Sequence, residues 1–109
     1  INSKKLSYIS GMYIFGGKYY DNEINNDLWV LSLGKKPCEW SKLATKGSVP
    51  CSRHSCSLNF YEESNILILH GGKKISKIES EIDSVLKDFY VYNLLKNEWF
   101  ELNIKFTSI

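Results

Sequence analysis

Arginine is almost missing from this chain: of its 14 basic residues, all but Arg53 are lysines. Against 12 acidic residues they leave a formal charge of +2, a weakly basic surface without the planar forks that read phosphates and base edges. Nucleic acid is therefore not an expected partner. Cysteine is sparse too. Cys38, Cys51 and Cys56 form an odd set with no Cys-x-x-Cys spacing, which argues against a disulfide framework or a zinc ribbon. The sequence contains no Asn-x-Ser/Thr sequon, no long apolar run and no basic-then-apolar leader. Secretion and a membrane partner thus have no support, and a reducing, cytoplasmic setting is expected. The chain opens on Ile1 rather than Met, from which a longer parent is expected.

Catalytic signatures are lacking as well. The histidines are His54 and His70 alone, and with Cys51 and Cys56 they match no zinc spacing, so no metal is expected. The glycine pairs Gly16-Gly17 and Gly71-Gly72 lack the Lys-Ser/Thr ending of a phosphate loop. The carboxylates at 62–63 and 21–27 sit among Asn and Ser, where turn chemistry accounts for them, and calcium would want a fuller set of oxygen ligands. Cys51 and Cys56 read as small, partly buried residues at a strand start, and His70 as a packed strand residue. No enzyme activity and no cofactor are expected from these residues.

What is present is a repeat. At 109 residues the chain is one domain at most. With 43% hydrophobic and 24% charged residues it is set apart from disordered chains, and a fold of this size can bury roughly 65% of its unfolded surface. Met12-Tyr13-Ile14-Phe15-Gly16-Gly17 returns as Leu67-Ile68-Leu69-His70-Gly71-Gly72. Asp27-Leu28-Trp29-Val30-Leu31 returns as Asp88-Phe89-Tyr90-Val91-Tyr92, and Glu39-Trp40-Ser41-Lys42-Leu43 as Glu98-Trp99-Phe100-Glu101-Leu102. The three landmarks keep their order, and six extra residues of the second copy fall in one loop, 18–26 in the first copy and 73–87 in the second.

Each landmark is short, aromatic or β-branched, and bounded by Gly, Asn, Asp, Pro or Ser, which is the signature of strands. A further strand precedes each glycine pair, at 4–9 and at 55–60, making four per repeat. The runs are apolar on consecutive residues, so both sheet faces are expected to be covered. The enlarged loop is different. Ile75, Ile78, Ile82 and Leu86 recur every three or four residues behind a capping box, Ser76-Lys77-Ile78-Glu79, and predict a short helix. Its apolar stripe either lies on the body of the fold or meets a partner.

A glycine pair, an aspartate-led aromatic strand and a Trp opening the last strand, at a period near 50 residues, resemble the kelch repeat. The resemblance occurs twice, over 1–47 and 48–109. It implies an all-β fold of two four-stranded antiparallel blades, part of a β-propeller, with the inner strand of the first blade the weaker match. It implies that Gly16, Gly17, Gly71 and Gly72 shape turns and that Trp40 and Trp99 pack between blades. It also implies a Pro and Arg leading to a His-Ser pair, read here in Pro50-Cys51-Ser52-Arg53-His54-Ser55-Cys56-Ser57 in either of two registers. In one, His54 takes the family His place and Cys51 replaces the Arg. In the other, Arg53 takes the Arg place and Cys56 replaces the His.

Two blades cannot close a ring, so further blades from the parent chain or self-association are expected. Kelch propellers mostly bind proteins or peptides through loops. The implied function is a protein-interaction module of a scaffold or adaptor, or alternatively a regulatory or targeting part of a larger enzyme such as a Ser/Thr phosphatase. The candidate partner-binding residues are Arg53 and His54, near the implied mouth of the ring, and Lys73, Lys74, Ile78 and Ile82 in the enlarged loop. Arg53 either clamps a partner carboxylate or ties down its own loop.

Overall fold

A computed structural model of the chain describes residues 8–18, 23–34, 36–76 and 82–108. The strands in order are β1 (Gly11–Phe15), β2 (Leu28–Ser32), β3 (Glu39–Lys42), β4 (Lys46–Gly47), β5 (Ser57–Tyr61), β6 (Ile66–His70), β7 (Lys73–Lys74), β8 (Ser84–Val85), β9 (Phe89–Asn93) and β10 (Glu98–Leu102). They form one sheet in the order β1-β2-β3, a second in the order β4-β10-β9-β6-β5, and the small hairpin β7-β8. The fold is all-β, as expected, with one short 3-10 turn at Glu62–Ser64.

The second sheet contains the four antiparallel strands expected of the second repeat, β5, β6, β9 and β10. In the first sheet three strands are described. The expected inner strand at 4–9 falls largely outside the described residues, and Tyr8 and Ile9 at its end belong to no strand. The enlarged loop departs from expectation. Lys73–Lys74 and Ser84–Val85 pair as antiparallel strands where the spacing predicts a helical stripe, and the rest of the capping box, Lys77, Ile78 and Glu79, lies outside the described residues. A short apolar spacing of three or four does not impose a helix when the ends of the loop meet and satisfy each other's backbone groups.

Side-chain alternation decides how the sheets stack. Tyr13 and Phe15 share a face with Val30 and Leu28, their partners across the ladder. Leu67 and Leu69 share a face with Tyr92 and Tyr90, and Trp99 sits opposite Tyr92. These two faces meet, and Phe15, Leu28, Leu67, Leu69, Tyr92, Leu94 and Trp99 form the core. Trp99 is its centre: the indole is met edge-on by Phe15 with centroids 5.1 Å apart and lies 4.9 Å from Tyr92. Burial here lifts the Tyr92 hydroxyl to about 12 and, on the facing sheet, Tyr13 to about 12.

Trp40, the counterpart of Trp99, is 48% exposed. It lies across the ladder from Leu31 on the opposite face of the first sheet, where it joins Ile14 and Trp29 around a shallow apolar dip. The same sequence landmark thus packs a sheet interface in one copy and lines an outer face in the other. Only Trp99 has a sheet against it among the described residues.

The glycine pairs all take positive φ. At Gly16 a Cβ would stand 2.5 Å from the Arg53 carbonyl oxygen, and at Gly72 it would stand 2.8 Å from that of His54 and 2.9 Å from Cys56 Cβ. Backbone conformation and crowding therefore oppose a side chain together. Gly16→Ala and Gly72→Ala are each expected to lower unfolding stability by about 2 kcal/mol or more, whereas Gly34→Ala, at a site with nothing within 4 Å, is expected to shift it by less than about 0.5 kcal/mol. Denaturant midpoints of the three variants check this, and equal midpoints would remove the steric account.

Candidate functional site

The segment 50–56 runs between the two sheets and is fastened to both. Arg53 donates its backbone N–H to Asn25 O at 3.2 Å and accepts at its carbonyl from Gly17 N at 2.9 Å, both in the loop after β1. One residue on, His54 exchanges two backbone bonds with Lys73, at 3.0 and 2.8 Å. Asn25 itself is fixed by a side-chain bond to Gly17 O at 3.3 Å. The backbone at Arg53 therefore belongs to the first sheet's loop and the backbone at His54 to the second's.

The Arg53 side chain turns inward and is fully buried. Its guanidinium forks onto Asp88, with Nη2 to Oδ2 at 3.0 Å and Nη1 to Oδ1, and also donates to Gly71 O at 3.1 Å and to Cys51 O at 3.1 Å. Nη2 meets Cys51 Sγ at 3.3 Å, and the Tyr90 ring lies 5.6 Å from Cζ. Burial works against the charge, yet the hydrogen bonds and charge of Asp88 outweigh it, so the guanidinium is held above the ordinary arginine range. This corrects one expectation: Arg53 is not open to a partner carboxylate, because its fork is taken up by Asp88 and its own loop. Cys56, beside it, donates to Phe15 O at 3.6 Å, and burial pushes its thiol up.

The remaining candidates gather around the β7-β8 hairpin. Lys73 and Lys74 are exposed on β7, facing Val85 and Ser84 across the ladder, and Ile82 is 92% exposed beside Val85 at 66%. Ile78 lies outside the described residues. His54 sits under this hairpin rather than on the surface, its Nδ1 2.9 Å from Ser55 Oγ and its Nε2 3.8 Å from Asp83. Residues 16–17 and 71–72 lie in the two turns that meet the segment, with Gly17 N bonded to Arg53 O and Gly71 O accepting from the Arg53 side chain. His70, exposed at the end of β6, stacks across the ladder on Phe89 of β9 with centroids 3.9 Å apart.

Sequence reasoning did not single out Asp88, Asp83 or Asn25 as partners. The first was visible: an aspartate opens the same strand in both copies, and a lone arginine in a lysine-rich chain wants a carboxylate that matches its fork. In the first copy Asp27 meets Lys42 at 3.4 Å instead, since 1–9 contains no arginine. No group of three or more potential metal ligands occurs among the described residues, and no helix among them is long and apolar enough to cross a membrane.

Asp88→Asn leaves a buried guanidinium without its counter-charge and is expected to cost about 3 kcal/mol of stability. Arg53→Lys, which keeps the charge but loses the fork, should fail to restore wild-type stability. A wild-type unfolding midpoint in either variant would show that the pair does not hold the fold. With iodoacetamide at neutral pH, exposed Cys38 should alkylate well before Cys56, whose thiolate is suppressed by burial. Peptide mass mapping gives the order.

Comparison with known proteins agrees with this geometry. Residues 5–108 match the KLHDC2/KLHL20/DRC7 Kelch-repeats domain. The bovine Kelch domain-containing protein 2 is 35% identical over 91 residues, covering 84% of this chain and 20% of its own. A dynein heavy chain-like protein 2 of Plasmodium falciparum is 30% identical over 105 residues, 89% of this chain and 2% of its own. The Rho GTPase-activating protein gacHH of Dictyostelium discoideum is 28% identical over 88 residues, 81% of this chain and 5% of its own. The chain thus spans a fifth or less of the length of these relatives. With glycine-pair turns, an aspartate-led strand and a Glu-Trp strand after it in each sheet, and a family match running almost from end to end, the chain belongs to the kelch-repeat family.

Proposed function

We propose that the chain is part of a kelch β-propeller scaffold or adaptor, with 1–47 and 48–109 as neighbouring repeats, and that it holds a protein or peptide partner through the β7-β8 hairpin. Kelch-repeat domains are in general non-catalytic protein-interaction modules, and the observation that carries the finer reading is the exposure of Lys73, Lys74, Ile82 and Val85 on one projecting element. Exposed apolar side chains beside flexible cations supply buried area and charge to an interface. Arg53 takes no part in this contact, and His54 supports the hairpin from beneath. A cytoplasmic placement belongs to the same proposal, and the free Cys38, Cys51 and Cys56 support it.

The outer sheet faces support the ring. Met12, Ile14 and Trp40 on one side, and Phe100 and Leu102 on the other, are exposed apolar residues in regular strands. Such faces want another sheet. Further blades of the parent chain, or copies of this one, would cover them. A second reading, a regulatory or targeting part of a larger enzyme such as a Ser/Thr phosphatase, is favoured by the relatives of which the matched part is 2% and 5% of the length.

Lys73→Glu with Lys74→Glu, and separately Ile82→Asp, are expected to weaken partner retention about tenfold or more in quantitative affinity capture with the intact protein, with the unfolding midpoint unchanged. Undiminished capture by both variants would move the partner site off the hairpin. Residues 1–109 alone are expected to associate or precipitate, and light scattering that found a compact soluble monomer would count against the requirement for neighbouring blades.

A further inference from the structure

Each outer face of the chain has its match in the contact at the centre. In the first sheet the ladder sets Met12 beside Leu31 and Trp40, and Ile14 beside Trp29. In the second it sets Leu67 beside Tyr92 and Trp99, and Leu69 beside Tyr90. Position for position these are one pattern. The second set receives a sheet and becomes core, while the first is the open face around the dip at Ile14, Trp29 and Trp40. The converse holds too. Tyr13 and Phe15, beside Val30 and Leu28, are the face that the first sheet presses onto Trp99. Their counterparts are Ile68 and His70, beside Val91 and Phe89 and continued by Phe100 and Leu102. Of these His70, Phe100 and Leu102 are exposed.

We propose that a second copy of this chain docks head to tail, the outer face of its second sheet seated on Met12, Ile14, Trp29 and Trp40. His70 of one molecule then stands against Trp40 of the next, as Phe15 stands against Trp99 within the chain. The proposal rests on the reading above that both faces need a neighbouring sheet, and it narrows that neighbour to a copy. Two observations narrow it. Both halves of the contact occur on one molecule and differ from each other, so the pairing is heterologous and closes by rotation. Propellers close at about four to eight blades, roughly two to four molecules here. The second observation is the clasp. Within the chain Lys46–Gly47 crosses to β10, with Gly47 at φ 87° and so near the Trp99 carbonyl that a Cβ would lie 2.5 Å from it. Counting on from Leu43 and Leu102, the same place in the second repeat is Phe106, which that seat does not admit. A further repeat in the same chain would lack the clasp that seats the second on the first. A contact between faces of separate molecules needs none.

Light scattering of the chain tests the direction of docking through two variants, Trp40→Lys on one face and Phe100→Lys on the other. The wild type is expected at roughly two to four monomer masses, and each variant alone at one. Their equimolar mixture should weigh as a dimer, because one intact contact remains between them. Met12→Lys and Leu102→Lys, on the same two faces, replace either variant that does not unfold cooperatively. A variant that stays associated, or a mixture that stays monomeric, overturns head-to-tail docking and leaves the need for a neighbour standing. A longer parent that weighs as a monomer assigns the faces to its own repeats, which overturns the second copy alone. A compact wild-type monomer of residues 1–109 overturns both.

Discussion

The fork between Arg53 and Asp88 is the interaction on which the rest of the structure hangs. Its backbone end is bound into the loop after β1, while its side chain reaches the start of β9 and the glycine turn after β6. One residue therefore joins both sheets, by hydrogen bonds whose geometry is fixed on each side. A fully buried guanidinium is tolerable only with its charge countered and its donors used, and here Asp88, Gly71 O and Cys51 O take them. The apolar contact of Phe15 and Trp99 is larger in area but not directional. The fork sets the register in which that contact is made.

Much of this was legible in the sequence. Short aromatic and β-branched runs and the glycine pairs placed the longer strands of both sheets, and the recurring Trp marked the last long strand of each. The twin copies even carried the difference between Asp27 and Asp88, because one arginine cannot serve two aspartates. What was not legible depended on distance. Whether Arg53 points outward or inward is decided by a residue 35 positions away, and no local pattern records that pairing. The enlarged loop departs from its local spacing at its ends, where Lys73–Lys74 and Ser84–Val85 are brought together by the strands they leave, while 77–81 lie outside the described residues.

The two tryptophans show how far one landmark can mean different things. Trp40 and Trp99 have the same place in the repeat, yet one is half exposed and the other sits at the centre of the core. Nothing in their immediate neighbours distinguishes them. Burial in a stacked-sheet architecture belongs to the interface and not to the residue, so a copy can be completed only by what lies beside it.

The short strand β4 extends this dependence along the chain. Lys46–Gly47, a few residues beyond the last strand of the first sheet, pairs in parallel with β10 of the second sheet, and Gly47 admits the Trp99 carbonyl so closely that a Cβ would lie 2.5 Å from it. The chain that leaves the first sheet is therefore part of the second before that sheet's own four antiparallel strands begin. A gene that gains such a repeat gains with it a clasp for the neighbour. Shuffling single copies would part each clasp from its seat, so the serial order of repeats is inherited together with their number.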